Sequence, residues 1–260
     1  MDGRSEILTD TKIEAGSTVE AGQQAQVLDR VVAASLEGHH AKFARRRGQA
    51  VRYENDVTPF FALEDPHDPA AWDDTAEVIE AGETVAFPGV STWPSEWKLI
   101  AELDGVQMVG TDVSPKPDPE AVRLGPDDVP EILDLIARTE PGPFLPRTIE
   151  LGTYLGIRRD GALVAMAGER MHPPGWTEIS AVCTDPAQRG QGLAGRLVRA
   201  VAAGIAERGE TSFLHAAASN ESAIRLYRSL GFTQRRPMTF LILQKPDRTT
   251  PAADRPSPVR

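Results

Sequence analysis

Gln188-Arg189-Gly190-Gln191-Gly192-Leu193-Ala194-Gly195 joins a strand-forming segment to a helix-forming one through closely spaced small residues. Such a turn leaves backbone N–H groups uncovered at the positive end of a helix, where they hold an anion without a basic side chain for every oxygen. Glycine suits it because a Cβ would block the approach of phosphate oxygens to the amides. Gly190-x-Gly192-x-x-Gly195 formally fits the dinucleotide fingerprint, which needs a strand running straight into the first glycine and an acid about 20 residues on. Neither condition holds. The strand expected over 178–184 stops before the polar loop Asp185-Pro186-Ala187-Gln188-Arg189, and the next, over 212–218, ends in Ser219-Asn220 with no acid. A Walker loop is excluded because no Gly-Lys-Ser/Thr follows.

The surroundings of the turn read as alternating elements. Upstream, Gly125-Pro126-Asp127-Asp128 offers a helix start, and Val129, Ile132, Leu133, Leu135 and Ile136 form one apolar face. Segments 153–159 and 162–170 flank Asp160-Gly161, the signal of a type I′ hairpin. Downstream, Leu193, Leu197, Val201 and Ile205 recur every four residues, giving a helix with an apolar stripe. After the strand at 212–218, residues 221–230 form a helix closed by Gly231 at C′, and 232–243 a last strand. On the helix over 221–230, Asn220, Ile224 and Tyr227 share a face, while Ala223, Leu226 and Leu230 lie on the adjoining one.

Arg189-x-x-Gly192-x-Ala194, followed by Asn220-x-x-Ala223-x-x-Leu226-Tyr227-x-x-x-Gly231-Phe232, resembles the GNAT superfamily of acyl-CoA-dependent N-acetyltransferases. The resemblance covers roughly residues 120–245. It implies an α/β (α+β) fold with a mixed, mostly antiparallel sheet flanked by helices in the order β-α-α-β-β-β-α-β-α-β. It also implies acetyl-CoA as co-substrate. Gln188, Arg189, Gly190, Gln191, Gly192, Leu193, Ala194 and Gly195 would cradle the pyrophosphate, Val182 and Thr184 would offer main-chain bonds to pantetheine, and Asn220 would contact the pantetheine amides. Tyr227 would be the general acid for the departing thiolate. The bland alternatives are an N-cap for Asn220 and a core aromatic for Tyr227.

An alkylamine of pKa near 10 is neutral in only about one molecule per thousand at pH 7, so a proton must leave before nitrogen attacks a thioester. Glu178 and Glu169 are the candidate bases; Glu178 is preferred because it stands about where several family members hold theirs. Cys183 lies between the pantetheine-pairing positions and reads as a small buried strand residue rather than a nucleophile. No metal is expected: His39, His40 and His67 match no metal-ligand spacing.

The formal net charge of −10 is unevenly spread, with 10 Lys/Arg against 22 Asp/Glu in 1–119 and 18 against 16 in 120–260. That balance argues against nucleic acid as a partner and suits steering of a cationic amine. One cysteine makes no internal disulfide, no apolar stretch is long enough to span a bilayer, and no signal peptide opens the chain, so a cytoplasmic enzyme is expected.

Residues 1–24 read as a flexible segment, 25–114 as a small α/β unit, 115–119 as a Pro-rich linker, 120–245 as the acetyltransferase domain and 246–260 as a disordered tail. Helical character is expected over 26–43 and 69–81, strands over 50–53, 84–87 and 98–103, and a solvated face at Arg45-Arg46-Arg47. The first unit is either a degenerate half of the same fold or a lid and dimerisation module of a homodimer. The acceptor would enter beside Pro141-Gly142-Pro143-Phe144-Leu145-Pro146, and a small-molecule amine is favoured over a protein lysine. The alternative to an enzyme is a non-catalytic acyl-CoA-binding regulatory module.

Overall fold

The computed structural model describes residues 26–245; the expectations for 1–24 and 246–260 lie outside them. At the Asp160-Gly161 turn both residues take positive φ, 50° and 85°, the conformation a type I′ turn requires. It joins β7 (Tyr154–Arg159) to β8 (Ala162–Glu169), and β9 (Trp176–Thr184) follows antiparallel. These strands belong to an eight-stranded sheet completed by β4 (Thr84–Pro88), β5 (Lys98–Val109), β6 (Val122–Leu124), β10 (Thr211–Ala217) and β11 (Thr233–Gln244). Their order is β4-β11-β5-β10-β9-β8-β7-β6. Among the described strand pairs only β9 and β10 run parallel, because the helix between them crosses over the sheet.

Successive residues of a strand face opposite sides, so Phe213 and Leu214 on β10 separate two layers. Leu214 packs with α4 (Leu193–Glu207) and α5 (Glu221–Ser229) in a core that includes Ile179, Leu197, Val201 and Tyr227. The four-residue repeat is the buried stripe of α4: Leu193, Leu197, Val201 and Ile205 are each at most 2% exposed. Burying each such side chain contributes about 1.5–3 kcal/mol before conformational entropy is subtracted. Phe213 instead packs with α1 (Val31–Glu37), Phe60 and Trp176. On the outer strands α3 (Val129–Thr139) covers Tyr154, Met166 and Cys183 with Ile132 and Leu135. A second, three-stranded sheet comprises β1 (Ala44–Arg47), β2 (Ala50–Tyr53) and β3 (Phe61–Leu63), and α2 (Pro69–Glu77) adds Ala71 and Trp72 to the core it shares with β4 and β11.

Several expectations are corrected. The segment 115–119 does not separate one unit from another: β5 before it and β6 after it belong to one sheet, and β11 pairs with β5 along nearly its whole length and with β4 over Phe240 to Gln244. The proline segment lies along α4 instead, where Arg196 grips Asp118 at 2.6 and 2.7 Å and Lys116 N–H donates to Arg199 O at 3.1 Å. The strand expected at 98–103 runs on to Val109, because Asp104-Gly105 continues the ladder instead of turning. The helical stretch 26–43 breaks into two short 3₁₀ turns around α1. A second helix before β7 is replaced by the 3₁₀ turn Thr148–Leu151, since Pro141, Pro143 and Pro146 deny the preceding residues a helical ladder. Arg45-Arg46-Arg47 is exposed as expected but belongs to β1, with Arg45 and Arg47 paired to Glu54 and Glu77.

Candidate active site

The pairing of β9 with β10 covers only Trp176 to Ile179 against Thr211 to Leu214. Beyond it both strands continue unpaired with each other, β9 to Thr184 and β10 to Ala217, and the sheet opens between them. On its other side β9 carries an extra residue between the Gly168–Ser180 and Met166–Cys183 pairs, where Ala181 is held at φ 52°. A bulge of this kind re-aims the residues after it and frees main-chain groups from the ladder. It lies where the strands diverge.

A cleft of about 390 Å³ fills that opening on the α4 and α5 side. Ten of the eleven cofactor candidates line it: Val182, Thr184, Gln188, Arg189, Gly190, Gly192, Leu193, Ala194, Gly195 and Asn220. Gln191 does not; its amide nitrogen donates to Gln188 Oε1 at 2.8 Å. Gly190 and Gly192 have φ of 80° and 73°, and a Cβ on either would meet no protein atom within 4 Å, so each leaves space that a side chain would fill. Gly195 is different, since its Cβ would touch Leu226 and Leu230, so its smallness serves packing of α4 on α5. The buried Thr184 hydroxyl has no hydrogen-bond partner among the described residues, and the first amides of α4 have no intrahelical acceptor. Open glycines, an orphaned hydroxyl and free amides suit a phosphate-bearing chain such as that of CoA.

Asn220 caps α5, its Oδ1 accepting from Ala223 N–H at 3.1 Å and from Ser222 Oγ at 2.9 Å. Tyr227 lines the same cleft seven residues on, and burial pushes its hydroxyl up to about 12, so it holds its proton at neutral pH. Cys183 also lines the cleft, but burial pushes its thiol up to about 11, which leaves little thiolate to act as a nucleophile.

Neither candidate base reaches this cleft. Glu178 is fully buried on the opposite face, where Oε1 accepts from Arg170 Nη2 at 2.6 Å and from His215 Nδ1 at 2.7 Å, and Oε2 from Arg170 Nε at 2.9 Å. Burial opposes its charge, yet Arg170 and His215 outweigh that and push the carboxyl down to about 2. Glu169 accepts from Thr153 N–H at 3.0 Å and Arg208 Nη2 at 2.9 Å and is likewise committed. Direct proton abstraction by Glu178 is disfavoured.

His215 is the residue that sequence reasoning passed over. Phe213 is in register with Glu178, so His215, two residues on, falls on the same face. Its tautomer follows from its neighbours: Gln107 Oε1 accepts from Arg235 at 2.8 Å, so the Gln107 amide nitrogen donates both to Leu28 O at 2.9 Å and to His215 Nε2 at 3.1 Å. Nδ1 therefore carries the hydrogen that points at Glu178. Arg170 and His215 also line a second cavity, of about 330 Å³, on the α1 face. Pro141, Gly142 and Pro143 contribute to its wall.

The fold also gathers His39, His40 and His172, one ligand atom of each lying within 4.8 Å of the others, which sequence spacing did not reveal. His40 has both ring nitrogens engaged, with the Tyr53 hydroxyl and Leu151 O at 2.9 Å each. His39 and His172 stack with ring centroids 4.5 Å apart and planes 13° from parallel, so their lone pairs run side by side rather than converge. Burial lowers His40 to about 4 and His172 to about 3, keeping both neutral at pH 7.

Comparison with known proteins agrees with this geometry. A GNAT-family acetyltransferase structure from Novosphingobium aromaticivorans is 41% identical, with a TM-score of 0.78, over 85% of this chain and 99% of that one. The chain belongs to the GNAT family. It is an acyltransferase, and members of its family use acetyl-CoA. The FR47-like protein family matches residues 154–241, which hold the cleft lining apart from Thr139. The N-alpha-acetyltransferase RimI of Mycobacterium tuberculosis is 38% identical over 82 residues, 30% of this chain and 51% of RimI, so the match spans about half of that curated relative. A GCN5-related N-acetyltransferase from Kribbella flavida shares the fold at 18% identity, with a TM-score of 0.54 over 84% of this GNAT chain and 95% of that one. Among the described residues no helix is long and apolar enough to cross a membrane.

Proposed function

We propose that this acyltransferase moves the acetyl group of acetyl-CoA to a primary amine of a small molecule or peptide, by direct attack within a ternary complex. One observation carries the reading: where β9 and β10 part from each other, the end of β9 lines the glycine-turn cleft and the end of β10 lines the second cavity. Donor and acceptor would thus approach the strand opening from opposite faces. Donor binding is assigned to 120–245, while Phe60, Ala86 and Leu103 from the preceding residues contribute to the acceptor side.

The amine nitrogen would attack the thioester carbonyl, the carbon–sulfur bond would break, and Tyr227 would give its proton to the leaving thiolate. His215, oriented by Glu178, is the side chain we assign to take the amine proton; Glu178 acts through it rather than directly. The accepting nitrogen is Nε2, where an amine would compete with the Gln107 amide. Such proton transfers typically contribute 10²–10⁴-fold. Thr184 and the α4 amides would hold the donor.

The test is thiol release from acetyl-CoA across a panel of amines, with the intact protein mass measured after incubation with acetyl-CoA alone. Turnover with an unmodified protein is the expected result. Donor binding without release on any amine refutes the reading, and an acetylated Cys183 refutes direct attack.

A further inference from the structure

The walls of the second cavity are selective about charge. From them we infer that the acceptor is a monoamine carried on an apolar, ring-sized body, not a polyamine, an aminosugar or a peptide. This deepens the acetyl-transfer reading and rests on it.

Aromatic surface lines the cavity continuously. The Phe60 and Phe240 ring centroids lie 6.4 Å apart, Phe240 meets His215 edge-on at 5.6 Å, and the Arg170 guanidinium carbon stands 4.8 Å from the centre of the Phe60 ring. Ala86 and Ile242 add aliphatic surface, and Leu103, half exposed at 52%, also belongs to the lining.

Charge is cancelled before any ligand arrives. Arg170 is the one charged residue type among those lining the cavity, and its Nε and Nη2 donate to Glu178; no aspartate or glutamate lines the space. A second ammonium would lose its water with no carboxylate to meet it, and a peptide would have to strip water from several amides where Thr84, Arg170 and His215 are the polar side chains on the wall beside the main chain of β10. A single ammonium is tolerated against the Phe240 ring, since Phe60 already carries the Arg170 guanidinium. Desolvation there also lowers its pKa, enriching the neutral amine that attacks. At 330 Å³ the cavity sits at the small end of ligand sites, which span about 300–1,000 Å³, and that limits the body to one ring or a branched chain.

Full-length protein is assayed for thiol release with acetyl-CoA and, in turn, phenethylamine, benzylamine, spermidine, an aminoglycoside and an alanine-initiated peptide. Phenethylamine or benzylamine should exceed the others in kcat/KM by about tenfold or more, the discrimination apolar pockets reach. Leu103→Glu, at an exposed position, should narrow that ratio in favour of spermidine, and Ala86→Phe, which fills the cavity, should raise KM for the aryl amines about tenfold. For both variants the thermal shift caused by acetyl-CoA checks folding and donor binding. Preference for spermidine, the aminoglycoside or the peptide overturns the inference and leaves acetyl transfer standing, as does an unchanged ratio in a folded Leu103→Glu protein. Donor binding with no turnover on any amine overturns the transfer reading, and the inference with it.

Discussion

Replacing Glu178 by glutamine removes one charge from a fully buried site and leaves the Arg170 guanidinium without its counter-ion. In the folded protein the Glu178 carboxyl falls from 4.5 to about 2, burial opposing and Arg170 and His215 prevailing. That gap corresponds to about 3 kcal/mol of folding free energy. An independent route agrees, since removing one partner of a buried ion pair costs about 3–5 kcal/mol. Because the folded value lies below the unfolded one, the contribution is complete above pH 4.5 and is lost as the pH falls towards 2. By pH 3 about two-thirds of it should be gone. Urea unfolding followed by tryptophan fluorescence should therefore separate Glu178→Gln from the parent by about 3 kcal/mol at pH 7 and about 1 kcal/mol at pH 3. At neutral pH the thermal midpoint should drop by roughly 6–12 °C. A separation under about 1 kcal/mol at pH 7, or one that does not shrink with acid, refutes the charge argument.

Tyr227→Phe should lower kcat by about 10²-fold or more while acetyl-CoA affinity changes less than about twofold; unchanged turnover removes the tyrosine from the acid role. Gly190→Ala places its Cβ in open cleft with no protein atom within 4 Å, so acetyl-CoA should bind about tenfold or more weakly by calorimetry for a stability cost of about 1–2 kcal/mol from the positive φ; equal affinity argues against a phosphate cradle at the turn. Gly231→Ala puts a Cβ 2.3 Å from Asp112 O at a φ of 102°, and chemical denaturation should register a loss of about 2 kcal/mol or more.

Local chemistry made much of the donor side readable in advance. The Asp160-Gly161 hairpin, the repeat on α4, the cap at Asn220 and the left-handed glycines of the turn depend on residues a few positions apart. Ten of eleven donor positions share one cleft because the turn, the end of β9 and the start of α5 are brought together by a single crossover. The proline segment misled the division of the chain, since stiffness in a connection says nothing about whether the strands on either side pair. β5 and β11 meet across more than a hundred residues, and no local pattern records that choice.

The same division separates the two halves of the site. The sequence by itself determined that a left-handed glycine turn opens α4 and that Asn220 and Tyr227 share a face of α5, because helix periodicity and backbone sterics act over one or two turns. Only the tertiary structure decided what Glu178 is for. Registering Phe213 opposite Glu178 sets His215 on the same face and Arg170 against the carboxylate, turning a candidate base into a buried anion that orients a histidine. Charge burial and lone-pair direction depend on distant segments meeting at hydrogen-bond distance, and that is fixed by packing across the sheet.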